Sequence, residues 1–437
     1  MRDAGRLSAA IAVLGDIEER HKPVRMALKN WGEASRFAGA KDRACVSGLV
    51  LDVLRRRRSL GWLIGDDSPR AAALAVLRWG WDWSVERIAE AAAEAPHGPG
   101  ALSVAEARAM ESPRSLEAAP APVRGDYPDW LDAPLARAFG DDRAVETAAL
   151  AQRAPVDLRA NTLKADRARV QKALASLGAE PTGLLVNAIR VAAPMASERA
   201  AAVESAPEFA KGWFEVQDLG SQIAAASAGD IKGRQVLDYC AGGGGKTLAL
   251  SAAMQSTGQI YAYDSDGRRL QDTVTRSQRD GVRNLQVRSP LDPAALEDLI
   301  GRMDVVFVDA PCTGSGTWRR HPDAKWRLTP AQLERRQAEQ DAVLAGAGAY
   351  VRPGGRLVYA TCSLLMEENE DRIDAFLAAT PEFAVQSALA SVVASGQLET
   401  GAADRLAACE TSRGFLRLSP LTLDADGFFI AVLARAA

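Results

Sequence analysis

Two cysteines stand directly beyond short apolar runs. Cys312 follows Val305 to Pro311, and Cys362 follows Leu357 to Thr361. A cysteine kept only as a small buried hydrophobe has no reason to prefer such a place. A thiolate is the natural nucleophile among side chains near neutral pH, and a second thiol beside it can hold or move a proton. The remaining cysteines, Cys45, Cys240 and Cys409, form no C-x-x-C spacing, and the chain has only three histidines. Neither a disulfide framework nor a zinc cluster can be assembled from this set, so no metal is expected.

A second constellation runs from Asp238 to Thr247. It comprises Asp238, Tyr239, Cys240 and Ala241, the four glycines Gly242, Gly243, Gly244 and Gly245, and then Lys246 and Thr247. Glycine lets backbone approach a ligand closely and adopt positive φ without strain. A triphosphate-binding P-loop is excluded, because Cys240 stands where its first glycine would be. The G-x-G-x-x-G fingerprint fails as well, because Thr247 stands at its third. What remains is a nucleotide-like ligand without a triphosphate. Asp264 ends the next apolar run, where an acid suits a pair of ribose hydroxyls. Glycine loop and acid together fit either a nicotinamide dinucleotide or S-adenosylmethionine.

These groups need a frame. Apolar runs at Gln235 to Tyr239, Gln259 to Tyr263, Leu285 to Val287, Asp304 to Val308, Arg356 to Ala360 and Phe428 to Leu433 alternate with helix-length segments. That alternation predicts βαβ units and a doubly wound, parallel sheet, with ligands bound outside the carboxyl ends of the strands. Upstream, Val46, Leu49, Val50, Val53 and Leu54 fall at helical spacing, and residues 1 to about 92 read as an all-helical domain. Seven prolines and glycines between Pro96 and Pro122 read as a linker. From Tyr127 to Pro207 a helix over Val170, Leu174 and Leu177 and a strand over Leu184 to Val191 predict a small α+β domain.

With 437 residues, 53 Lys plus Arg and 56 Asp plus Glu, the chain is globular in composition and has a formal net charge of −3. The bulk charge gives no sign of a polyanionic partner, but it hides two basic stretches. Ten basic and three acidic side chains lie between His21 and Leu60, and six against two between Trp318 and Arg336, where Trp318 and Trp326 are interleaved. Basic groups with aromatic faces are how single-stranded RNA is commonly held, although both tryptophans fit a core position equally well. No apolar run approaches the ~18 residues of a membrane span, and the N-terminus has no signal-like segment. A cytoplasmic monomer without membrane contact is expected.

The motifs resemble those of the Nol/Nop/Sun group of RNA cytosine-5 methyltransferases, in its bacterial 16S ribosomal RNA (RsmB-like) branch. The resemblance rests on Tyr239 to Thr247, Asp309-Ala310-Pro311-Cys312, Thr361-Cys362-Ser363 and the specific segment Arg319-Arg320-His321-Pro322-Asp323-Ala324-Lys325-Trp326. It is joined by Tyr127 to Leu131, Leu158 to Lys164, Val216-Gln217-Asp218 and Asp426 to Ala431. It implies an α/β fold: a Rossmann-like class I methyltransferase domain over 208–437, preceded by an all-helical domain similar to the antitermination factor NusB within 1–112. Between them, 113–207 would hold the linker and a small α+β RNA-binding domain. The implied cofactor is S-adenosylmethionine, held by Cys240 to Lys246, Asp264, Arg269 and Asp309. The family usually places an acid after the third strand to hold adenine, and Asp292 is the nearest candidate, off register by a residue or two.

The resemblance assigns nucleophilic attack on cytosine C6 to Cys362 and help in expelling the enzyme to Cys312. DNA cytosine methyltransferases attack with the cysteine of a Pro-Cys pair, so Pro311-Cys312 competes with Cys362 on motif grounds. Asp309 is expected at the N3 and N4 edge of the base. Lys246 is expected beside it, against the plainer reading of a surface lysine in a first helical turn. His321 is expected to be structural. The target cytosine must be unpaired or flipped to reach the thiol. Two alternatives remain: a transfer RNA cytosine-5 methyltransferase, and a non-catalytic RNA-binding or ribosome-assembly factor. A binding module would have no use for both thiols.

Overall fold

The chain begins with helices α1 (Asp3–Arg20), α2 (Val24–Ala34), α3 (Ala40–Arg55), α4 (Arg57–Ile64), α5 (Pro69–Ala75), α6 (Val85–Ala93) and α7 (Val104–Glu111). The structure is a computed structural model that describes residues 1–437 except 196, 197, 199 and 200. As the spacing predicts, α3 buries Val46, Leu49, Val50, Val53 and Leu54. They join Leu7, Ala10 and Leu14 of α1 and the Ala71 to Leu77 run in one apolar core.

The proline-rich stretch is not a free linker. The Arg70 guanidinium donates to the carbonyls of Pro99, Gly100 and Ala101 and pairs with Glu106. Ser103 caps α7 through a reciprocal capping box, and Met110 enters the helical core. A half-buried arginine with fixed carbonyl partners replaces the hydrogen bonds that regular structure would have supplied. The helical unit accordingly runs through Arg153, and it also takes in residues 193–195 and Trp318–Leu328.

The second unit holds two sheets. Strands β1 (Val156–Ala160), β2 (Glu180–Pro181), β3 (Ala188–Val191) and β4 (Phe214–Val216) form a fully antiparallel sheet in the order β2-β3-β1-β4. Leu184 and Leu185, expected within a strand, precede β3 and pack into the core instead. The larger sheet contains β5 (Gln235–Asp238), β6 (Gln259–Tyr263), β7 (Leu285–Arg288), β8 (Met303–Asp309), β9 (Val351–Thr361), β10 (Phe383–Gln386), β11 (Leu416–Leu418) and β12 (Phe428–Arg435). Its order is β10-β12-β9-β8-β5-β6-β7, with β11 paired to β12. Strands β5 to β9 pair in parallel, while β12 lies antiparallel to β9.

Alternation along the strands builds a layer on each face. Val305, Phe307, Val358 and Ala360 enter one apolar cluster, and Val306, Val308, Leu357 and Tyr359 enter another. The strand order reverses between β5 and β8, so a crevice opens beyond their carboxyl ends. No helix among the described residues is long and apolar enough to cross a membrane.

Candidate active site

Because β8 and β9 are neighbours and parallel, Asp309 registers against Ala360, and the loops beyond them leave the sheet side by side. Each delivers one cysteine. The Sγ atoms of Cys312 and Cys362 lie 3.4 Å apart. The Cys312 thiol is pushed well above its ordinary value by its hydrogen bond with Cys362, by burial and by the nearby Glu368 carboxylate. The bond between the two sulfurs disfavours loss of a second proton from the pair.

The loop after β5 supplies the next wall. Gly242 and Gly244 have φ of +53° and +86°. A Cβ on Gly242 would come within 2.5 Å of the Arg269 guanidinium, and one on Gly244 within 2.8 Å of Thr273. These two positions require glycine. A Cβ at Gly245 would meet nothing within 4 Å, so the loop is open on that side. The loop is tied down by Ala241 N–H donating to Tyr263 O, Thr273 Oγ1 to Gly242 O, and Arg276 to Gly243 O at 2.5 Å. Arg276 also reaches Glu215 of β4 at 2.6 Å, an anchor that no sequence motif indicated.

Lys246 is buried rather than on the surface, and its Nζ donates to Asp309 Oδ2 at 2.6 Å. Burial alone would lower the lysine, but the Asp309 carboxylate outweighs it and the net direction is upward. Asp238 lies beneath the loop, buried. It accepts from Thr247 Oγ1 at 2.6 Å through one oxygen, its other oxygen has no partner, and burial raises its carboxyl to about 7. Cys240 is a third thiol beside these acids; burial and the charges of Asp238, Asp264 and Asp309 push it well above its ordinary value, which makes it a poor nucleophile.

Asp264 ends β6 as expected. One oxygen accepts from Asp266 N and the other from Gly242 N at 2.8 Å, with Arg269 at 3.3 Å. Arg269 itself is largely exposed over the loop. Between the segment after β6 and that after β7 lies a cavity of about 640 Å³, walled by Leu270, Val287, Pro290 and Leu291 with Ser265 and Asp266 at its edge. Asp292 does not line it; the carboxylate is exposed and accepts from Ala294 N at 2.9 Å, capping its own turn.

The Trp318–Leu328 segment is positioned quite differently from a nucleic-acid grip. Trp318, Arg319 and Lys325 are buried, and Trp326 packs against the helical core. Arg55 donates to Arg319 O, Lys325 Nζ to Arg55 O at 2.6 Å, and Trp326 Nε1 to Leu54 O at 2.6 Å. The expected stacking surface is thus internal packing of the helical unit, and His321 lies exposed where its short helix begins. Much of the other basic stretch is also engaged internally. Lys22 pairs with Asp16, Arg57 with Glu18 and Arg58 with Asp129, and Arg43 donates to the carbonyls of Gly32 and Ala38, while Arg25, Lys29, Arg36 and Lys41 are exposed.

Sequence reasoning missed the polar frame behind the thiols. Glu368, Asn369 and Gln340 are fully buried and bond to the residues flanking both cysteines. The one sequence signal was an acidic run, Glu367-Glu368-Asn369-Glu370, shortly after a buried strand.

Known proteins share this architecture. Residues 230–434 match the family described as 16S rRNA methyltransferase RsmB/F, and residues 127–198 match the RsmF/B-like ferredoxin-like domain. A probable ribosomal RNA small subunit methyltransferase B of Synechocystis sp. is 32% identical over 314 residues, 71% of this chain and 67% of that protein. Ribosomal RNA small subunit methyltransferase B of Klebsiella pneumoniae is 35% identical over 263 residues, 59% of this chain and 58% of that protein. A methyltransferase homolog protein from Pyrococcus horikoshii superposes with a TM-score of 0.58 at 25% identity, over 74% of this chain and 100% of that one. On these matches the chain belongs to the RsmB/F family of 16S rRNA methyltransferases.

Proposed function

We propose that this protein transfers a methyl group from S-adenosylmethionine to C5 of a cytosine in 16S ribosomal RNA, through a covalent bond between Cys362 and C6 of the base. The observation that carries this reading is the thiol pair, with its two Sγ atoms 3.4 Å apart at the ends of neighbouring parallel strands. Cytosine C5 is a poor nucleophile, and an adjacent thiol pair is suited to adding to C6 and then leaving again.

The cofactor fits the residues present. Cys240 to Lys246, with two glycines in positive φ and an open side at Gly245, and Asp264 at the end of β6 are the groups that would hold it. Arg269 lies over the loop, and the apolar walls of the cavity after β7 suit an adenine ring. Asp292 is left out of this set. When bound, the cofactor supplies an electrophilic methyl carbon on a sulfonium sulfur.

The Cys362 thiolate forms the S–C6 bond as the C5=C6 π bond breaks, and the electron pair makes C5 nucleophilic. Lys246 hands a proton through Asp309 to N3, which offsets the electron density the ring gains. Once C5 carries the methyl group, the C5 hydrogen leaves as a proton to solvent water, the electron pair of that C–H bond restores C5=C6, and N3 returns its proton to Asp309. The S–C6 bond then breaks, and Cys362 leaves as a thiolate that accepts from the Cys312 S–H. The relatives named for the ribosomal small subunit support 16S RNA over transfer RNA as the substrate.

The test is incubation of the full chain with 16S RNA lacking the modification and methyl-labelled cofactor, followed by digestion to nucleosides. Label in 5-methylcytidine is the expected result. Label in any other nucleoside, or none, contradicts the reading.

A further inference from the structure

The two cysteine loops are joined by one side chain. Glu368 is fully buried, and four hydrogen bonds converge on its two oxygens. Thr313 N–H donates at 2.8 Å, Thr313 Oγ1 at 2.5 Å and Gln340 Nε2 at 3.1 Å, and Ser363 Oγ completes the set. Thr313 directly follows Cys312, and Ser363 directly follows Cys362. Gln340 uses the same amide nitrogen on Pro311 O at 2.8 Å, so the residues on both sides of Cys312 are held. The adjacent Asn369 does the same for Cys362. It accepts from Thr361 Oγ1 at 2.6 Å and donates to Ser363 O at 3.0 Å. Cross-bonds from Gly316 N–H to Cys362 O and from Leu364 N–H to Ser315 Oγ interlock the loops further.

Burial raises the Glu368 carboxyl above its ordinary value, and the hydrogen bonds from Ser363, Thr313 and Gln340, all neutral donors, act against that by favouring the carboxylate. An uncompensated buried charge is costly, and a neutral amide could accept several of the same bonds. A charge held beside both thiol loops has an electrostatic consequence: a second anion in the thiol pair is disfavoured.

We propose that Glu368 is a positioning residue that sets the spacing of the two thiols and, through its charge, disfavours a second anion in the pair, so that one sulfur attacks while the other holds its proton. This rests on the covalent cytosine reading above. Glu368 touches neither base nor cofactor and acts through Thr313, Ser363 and the field at Cys312.

The experiment compares Glu368→Gln and Glu368→Asp with wild type, measuring kcat, KM for 16S RNA, the pH–rate profile and the thermal midpoint. Glu368→Gln is expected to lower kcat by about 100-fold, the scale of a misplaced reacting group, with KM within about twofold. Without the negative charge the Cys312 thiol loses its proton at lower pH, so the alkaline limb of the profile moves down. Glu368→Asp keeps the charge and shortens the reach; it should lose rate with the limb in place. A Glu368→Gln enzyme with wild-type rate and profile overturns the proposal, and so does an equal loss in both variants with no movement of the limb. Should Glu368→Gln not fold, Thr313→Val removes one donor from the Cys312 side alone. About a tenfold fall in kcat at constant KM is then expected, and a wild-type rate overturns the proposal. A wild-type enzyme that produces no 5-methylcytidine tells against the reaction itself, independently of Glu368.

Discussion

Two lysines, both in sequence motifs and both buried, show how burial alone fails to define a site. Lys246 meets the Asp309 carboxylate at 2.6 Å, and the opposing charge raises it in spite of burial. Lys325 donates to a backbone carbonyl, Arg55 O, and burial lowers it to about 8 even with Asp126 nearby. The first belongs to a cluster of charges and thiols at the carboxyl ends of parallel strands. The second plugs the core of the helical unit beside Trp326. Charge partners and strand-end placement, rather than residue type, separate a chemical cluster from a packing one.

The widest separation between these regions should come from Cys362→Ala, which is expected to lower methyl transfer by at least about 10⁴-fold while leaving the thermal midpoint unchanged. Trp326→Ala should act in the opposite sense. It removes a ring packed on the helical core and is expected to cost about 3 kcal/mol in denaturant unfolding, with little change in the salt dependence of RNA binding. A loss of RNA affinity at full stability would instead restore the stacking role. Lys246→Ala should reduce kcat by about 10- to 100-fold with RNA binding retained, because Asp309 loses the cation that fixes its charge and orientation. The smallest effect is a pH effect on Lys325. Folding depresses its proton affinity, so the charged form penalises the fold below pH 8 and the penalty fades as pH rises toward the ordinary lysine range. The thermal midpoint of wild type relative to Lys325→Met should therefore rise between pH 7 and pH 10; a flat difference would place the charge in solvent.

Much of the catalytic unit was legible because its signals are local. The six apolar runs became β5 to β9 and β12 with ends shifted by a few residues, and β8 and β9 being neighbours brings Cys312 and Cys362 together. Three features were not legible for physical reasons. Glu368, Asn369 and Gln340 act through hydrogen bonds that span 8, 28 and 55 residues of sequence, which no periodicity records. Trp318 and Trp326 sit among arginines and lysines, a composition equally compatible with an RNA face and with a core whose charged ends bond backbone carbonyls. Proline and glycine between Pro96 and Pro122 signal irregular backbone, but the order there depends on Arg70, a residue outside the stretch. Asp292 shows the limit of register. A displacement of one or two residues turns a carboxylate from the cavity to a turn that it caps itself.

The central claim, that Cys362 attacks and Cys312 assists release, is tested most directly by peptide mapping of covalent complexes. Cys312→Ala is incubated with unmodified 16S RNA and S-adenosylmethionine, digested with protease and ribonuclease, and analysed by mass spectrometry. The expected result is an accumulated adduct in which the peptide containing Cys362 carries a methylated cytosine nucleotide, with no adduct from Cys362→Ala. An adduct trapped by Cys362→Ala and mapped to Cys312, with Cys312→Ala inactive and adduct-free, would contradict the assignment and reverse the two roles.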